Sequence, residues 1–156
     1  ARLKDSYLAF HNLKQILDQG YVNLSLMTNH NPYRAYFPDA LGSLPALMME
    51  MLVYSRPGVV ELLPALPDAL PKGSIAGVRC RTWARVDNLS WDLEQGHIAL
   101  VLSSLKDQEL DLVVRRGIAR IDAPDGVIVG TLKGRPGRRI WLPAGQSVAL
   151  QIALPQ

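Results

Sequence analysis

The chain has 156 residues, enough for one domain or for a small domain carrying part of a neighbour. A 48% hydrophobic, 20% charged composition is that of a folded, soluble protein, and the longest apolar stretch, residues 44–54, is broken by Pro45 and Glu50, so no membrane span is expected. A formal net charge of +3, with arginines spread along the chain, argues against a nucleic-acid partner.

The sequence opens at Ala1-Arg2-Leu3-Lys4 without an initiator Met or a charged-then-apolar leader. It is expected to be a fragment of a longer protein, with natural N-terminus and compartment left open. Residues 3–17 place Leu3, Tyr7, Phe10, Leu13 and Leu17 at helical spacing, and Gly20 suits a helix stop. His11 has no acidic partner nearby in sequence and reads as a surface or packing residue. Residues 21–38 read as an extended loop, with Asn29, His30, Asn31 and Pro32 as turn formers.

A second helix is expected from Ser43, its N-cap, to Tyr54, because Pro45 is tolerated only in a first turn. Leu44, Leu47, Met48, Met51 and Leu52 line one face, Met49 and Val53 make much of the other apolar, and Glu50 is the single charge. Such a helix calls for burial on nearly every side, against a missing N-terminal part of the same chain or in a homo-oligomer formed through residues 44–54. Glu50 then reads as structural, paired with an arginine or a backbone amide.

From Gly73 the period changes to two. In residues 76–86, Ala76, Val78, Cys80, Thr82, Ala84 and Val86 alternate with Arg79, Arg81, Trp83 and Arg85, as one half-buried strand would. Cys80, the only cysteine, is expected there as a small buried residue. Further short strands are read at 89–93, 97–103, 109–115, 117–121, 126–132, 138–142 and 147–153, separated by turn chemistry such as Glu94-Gln95-Gly96 and Pro143-Ala144-Gly145. The fold class is therefore α+β, mainly β: a short helical segment followed by an antiparallel β-sandwich.

Three features could carry function. Asp39 is a lone carboxylate ending a loop before an apolar helix, which suits a pocket rim; a turn residue accepting backbone N–H bonds is the alternative. Trp83 with Arg79, Arg81 and Arg85 could contact a sugar or an anion, or form a solvated or interdomain face. His30 could reach a substrate if its loop lines a pocket, or be a plain turn residue. Lys133, Arg135, Arg138 and Arg139 surround a glycine-proline turn without the Lys-Ser/Thr of a phosphate loop, and read as a basic hairpin. No His-Glu-x-x-His, paired cysteines, Gly-x-Ser-x-Gly or dinucleotide fingerprint is present, so no metal, nucleotide or other cofactor is expected.

Four stretches in order carry a family resemblance: Asn31-Pro32-Tyr33 with Asp39, Glu50-Met51-Leu52, Leu62-Leu63-Pro64-Ala65-Leu66-Pro67, and Gly77-Val78-Arg79-Cys80-Arg81 with Val86-Asp87 and Trp91. Together they resemble the C-terminal portion of glycoside hydrolase family 95, the inverting α-L-fucosidase-like enzymes, over about two-thirds of the chain. The resemblance implies that residues 1–66 are the last helices and loop of a helical (α/α) catalytic barrel and that 67–156 form a C-terminal β-sandwich. It implies a carbohydrate substrate and no cofactor. Inverting hydrolysis needs an acid for the leaving oxygen and a base to activate water on the opposite face. In the family the acid is a glutamate, and an asparagine polarised by an aspartate serves as base; of these, only the aspartate would lie in this part of the chain, at Asp39. The sequence departs from the family where Asp39-Ala40-Leu41 replaces Asp-Gly-Asn and Thr82-Trp83 replaces a glycine pair. Two functions follow as expectations. In one, a longer parent hydrolyses terminal sugars and this piece alone is inactive. In the other, the piece is a non-catalytic accessory domain that stabilises the barrel or binds carbohydrate.

Overall fold

Two helices lead into two packed sheets. The computed structural model describes residues 4–18, 28–30, 33–35 and 38–155. Helix α1 (Ser6–Asp18) is opened by Asp5, whose carboxylate accepts the Leu8 N–H at 2.8 Å in the manner of an N-cap. It buries Ala9 and Leu13, with Phe10 partly covered, while Tyr7 and Leu17 are exposed. The expected face through Tyr7 and Leu17 is thus corrected by one step around the helix. Small Ala9 lets α1 approach its neighbour closely, and the line from Ala9 to Leu13 becomes the contact.

Helix α2 (Pro38–Leu52) begins five residues before the expected N-cap, so Ser43 lies within it and Pro45 is an interior proline. Pro38 stands at its first position, where a fixed φ and a missing N–H suit a helix start. The helix also stops two residues early. Val53 begins strand β3 (Val53–Arg56), which pairs antiparallel with β4 (Val59–Leu62) around Gly58 at φ +73°. Every residue of β4 is buried, so its sequence shows no alternation and the hairpin is invisible to periodicity. Where an extended loop is expected, β1 (Thr28–His30) pairs with β2 (Tyr33–Ala35); Asn31, Pro32 and Gly20 lie outside the described residues.

The remaining strands are β5 (Lys72–Arg79), β6 (Ala84–Asp92), β7 (His97–Ser104), β8 (Gln108–Val114), β9 (Arg120–Asp122), β10 (Ile128–Thr131), β11 (Gly137–Leu142) and β12 (Ser147–Ala153). One sheet runs β10-β11-β8-β4-β3 and the other β5-β6-β7-β12-β9. Pairing is antiparallel except between β4 and β8, which lie parallel. Val60, Leu62, Leu112 and Ile140 from the first sheet meet Leu89, Ile98, Leu100 and Leu150 from the second in one core. This is the mainly β sandwich that the sequence pattern predicts.

The single strand expected over 76–86 is two strands with a turn at 80–83, closed by the Cys80 N–H donating to the Ala84 carbonyl at 3.1 Å. Arg79 stands opposite Arg85, so residues of equal parity share a side on both strands. The alternation therefore runs through the turn unbroken and hides it. Further along β6, a bulge at Asp87 shifts the phase, so Ala84 and Val86 face the core before it and Leu89 and Trp91 after it.

The Leu62–Pro67 segment is the seam between helices and sandwich. Leu62, Leu63 and Leu66 enter the sandwich core, whereas Ala65 joins Ala9, Leu13 and Met51 in the helical cluster. Two backbone bonds fasten it to the end of α2: Leu63 N–H to Leu52 O at 2.7 Å and Ala65 N–H to Met51 O at 3.2 Å. Leu63 adopts φ +51°, a left-handed conformation held by burial of its side chain.

Candidate functional site

The β5–β6 turn separates two clefts, and the residues singled out in the sequence are divided between them. On one side, α2 and β5 enclose about 460 Å³ lined by Met49, Glu50, Ser55, Arg79 and Arg81. Arg81 Nη2 donates to Glu50 Oε1 at 3.1 Å, and the Arg81 backbone N–H donates to Ser55 Oγ at 2.7 Å. Glu50 thereby ties the last turn of α2 to the turn, in the structural role expected of it. Between them, burial pushes the Cys80 thiol above its ordinary value, against opposing hydrogen bonds from Ser55 and the Val86 backbone.

On the other side a cleft of about 440 Å³ is lined by Arg79, Thr82, Trp83, Arg85, Ser103 and Ser147. Trp83 is 57% exposed, with Lys106 Nζ 5.6 Å from its ring centroid. A relay fixes the turn beneath it: Thr82 Oγ1 donates to Gln108 Oε1 at 2.7 Å, Gln108 Nε2 to Ser104 Oγ at 2.7 Å, and Ser104 Oγ to the Lys106 carbonyl at 2.6 Å. Leu105 N–H donates to Trp83 O at 3.0 Å. The bulge residue Asp87 accepts from two of the lining side chains, Arg85 and Ser147. Burial alone would raise its carboxyl, but hydrogen bonds from Ser103, Arg85 and Ser147, with the Arg85 charge, hold it below the usual carboxylate range. An exposed indole beside guanidinium and hydroxyl groups can stack on a sugar face and bond its hydroxyls.

Arg79 borders both clefts, while Arg81 and Trp83 lie on opposite sides of the turn. The expected single row of Arg79, Arg81, Trp83 and Arg85 is therefore not one strand face. Asp39 is the second residue of α2, at the end away from Glu50; eleven helical residues put the two about 16 Å apart along the axis. His30 ends β1, and the side chains of His30 and Asp39 lie outside the described residues. Ser103, Ser147 and Lys106 were not singled out from sequence, since strand pairing and a neighbouring turn, not a local motif, carry them to Trp83.

No curated protein matches the chain. The family described as glycoside hydrolase family 95, C-terminal domain, matches residues 54–133, just over half of the 156 residues, from β3 through the end of β10. The match spans the buried seam, the β5–β6 turn and the bulge at Asp87, the same features that order the sandwich. The chain belongs to glycoside hydrolase family 95, whose C-terminal domain its sandwich represents.

Proposed function

We propose that the chain is the C-terminal part of an inverting, α-L-fucosidase-like glycoside hydrolase that removes terminal sugars from oligosaccharides without a cofactor. The family match carries this reading. Helices α1 and α2 are assigned to the end of a helical catalytic barrel, joined to the sandwich through the β3–β4 hairpin. Exposed Tyr7, Leu17, Met48 and Met49 on α1 and α2 support a helical partner in the same parent chain. Asp39 is assigned the carboxylate that polarises the water-activating group, which would require the partner to supply the general acid.

The test is turnover of aryl α-glycosides, the α-L-fucoside included, by the longer protein and its Asp39→Asn variant, with the present chain as control. The expected result is inversion by the parent, a kcat lower by about 10²-fold or more in the variant with KM little changed, and no turnover by the chain alone. A variant that keeps its kcat removes Asp39 from the site.

The Trp83 cleft favours a second reading, an accessory domain that binds neutral carbohydrate through Trp83 and Arg79. Quenching of indole fluorescence by oligosaccharide, abolished in Trp83→Ala, would support it; identical titrations of the two proteins would remove it.

A further inference from the structure

The outer face of the β10-β11-β8-β4-β3 sheet carries a construction that neither reading uses. Two carboxylates lie in its floor, Glu61 at 3% exposure and Asp111 at 9%. Each is held by two cations. Glu61 accepts from Arg115 Nε at 2.7 Å and from the Lys4 ammonium, and Asp111 accepts from Arg139 Nε at 3.0 Å and Arg135 Nη2 at 3.1 Å. Strand register puts both acids on this face in successive rows, Asp111 beside Arg139 and Val59, and Glu61 beside Val113 and Tyr54.

Over Glu61 opens a cleft of about 370 Å³, lined by Lys4, Arg56, Glu61, Arg115 and Arg135 with Val59 and Val113. The Arg56 guanidinium has no carboxylate partner among the described residues. Five cations thus meet these two carboxylates, a local surplus of positive charge. Buried acids orient the guanidinium groups without consuming them: a guanidinium has five donors, and Arg115 and Arg135 each spend one on a carboxylate. What remains is a set of guanidinium donors whose planar fork suits an oxyanion.

We propose that this cleft binds the anionic substituent of a carbohydrate, a sulfate ester or a uronate carboxylate, with Arg56, Arg115 and Arg135 as its donors. Val59 and Val113 are buried between these side chains and close the base of the cleft, and the family match is the reason to expect the anion on a sugar. The inference rests on membership of a glycoside hydrolase family and not on Asp39 or on fucose specificity.

The test is calorimetric titration of the chain, at fixed low ionic strength, with maltotetraose, its sulfated derivative, a uronic-acid tetrasaccharide and sodium sulfate. Both anionic tetrasaccharides should bind at least about tenfold more tightly than maltotetraose, whose binding at the Trp83 cleft is removed by using the Trp83→Ala chain throughout, and sulfate should bind at least about tenfold more weakly than the sulfated sugar. Arg56→Gln, which strands no carboxylate, should weaken binding of the sulfated sugar about tenfold, the loss of one charge-assisted bond. Arg120→Gln removes the same charge from an exposed pair with Asp122 on the other sheet and should change binding less than about twofold. Equal losses in the two variants would reduce the effect to net charge and overturn the proposal. Sulfate binding as tightly as the sulfated sugar would assign the cleft to a free anion and overturn the carbohydrate source. Failure of both anionic tetrasaccharides to bind overturns it outright and leaves the face to an acidic protein surface. No outcome depends on turnover, so the result stands apart from the Asp39 experiment.

Discussion

The indole of Trp91 occupies the space beside Gly73: a Cβ on residue 73 would stand 2.5 Å from Trp91 Cζ2, and the two residues are directly opposite in the β5–β6 pair. The ring is buried and donates from Nε1 to the Leu70 carbonyl at 3.0 Å. It therefore anchors the edge strand and the proline-rich crossover together. Gly73→Ala should displace the ring and cost about 1–3 kcal/mol, seen as a lower urea midpoint with a shifted tryptophan emission. An unchanged midpoint and spectrum would mean that the edge strand yields without cost.

Ala65 is the contact between the seam and the helices, at 1% exposure against Ala9, Leu13 and Met51. Ala65→Leu should overfill that small cluster, at a cost of about 1–3 kcal/mol, while leaving the sandwich core intact. Limited proteolysis should then cut α1 and α2 sooner, with a protected fragment beginning near Val53. Simultaneous loss of helices and sandwich would show that the two clusters melt as one unit.

Asp111 and Asp122 both pair with arginine, yet only Asp111 is buried and doubly bridged. Asp111→Asn should lower stability by about 1.5–3 kcal/mol, since two charge-assisted bonds lose their acceptor charge. Asp122→Asn should stay within about 1 kcal/mol, as exposed pairs do. Denaturation curves of the two variants decide this, and equal effects would count against burial as the cause.

Asp87 makes stability depend on acid. Its carboxyl is held below the ordinary value of 3.8, so the folded state binds fewer protons than the unfolded one near that pH. Its contribution is full above 3.8 and is lost as pH falls through the lower folded value. Asp87→Asn should therefore destabilise the protein at pH 6 and converge with the unaltered protein at low pH. Parallel stability profiles down to strongly acidic pH would rule out this linkage.

Partial burial pushes the Cys80 thiol above its ordinary value and so lowers its share of thiolate, the reactive form. Native protein should react with iodoacetamide at pH 8 at least about tenfold more slowly than the unfolded chain. Comparable rates would place the thiol in solvent.

The alternating stretches near 97–103 and 147–153 were legible as strands because each has one face in the core and one in water, which periodicity records directly. The β3–β4 hairpin was not, because every residue of β4 is buried and its sequence has no alternation to read. The turn at 80–83 is hidden by equal parity across the hairpin, and the start of α2 by Pro45, which suits a first turn but stands inside the helix. Of the site residues, Trp83 and Arg79 were identified as types that recognise sugars; their cleft was not, since Ser103 and Ser147 reach it only through pairing of β6, β7 and β12.

By itself the sequence determined a mainly β body behind a short apolar helical segment, the Leu62–Pro67 element and the family these serve, since burial period and turn chemistry are local properties of the chain. Only the tertiary structure decided which side of α1 is buried, where Asp87 breaks the phase of β6, and that Arg56, Arg115 and Arg135 share one cleft. Those arrangements depend on contacts between residues tens of positions apart, and their geometry exists only once the two sheets have closed on a common core.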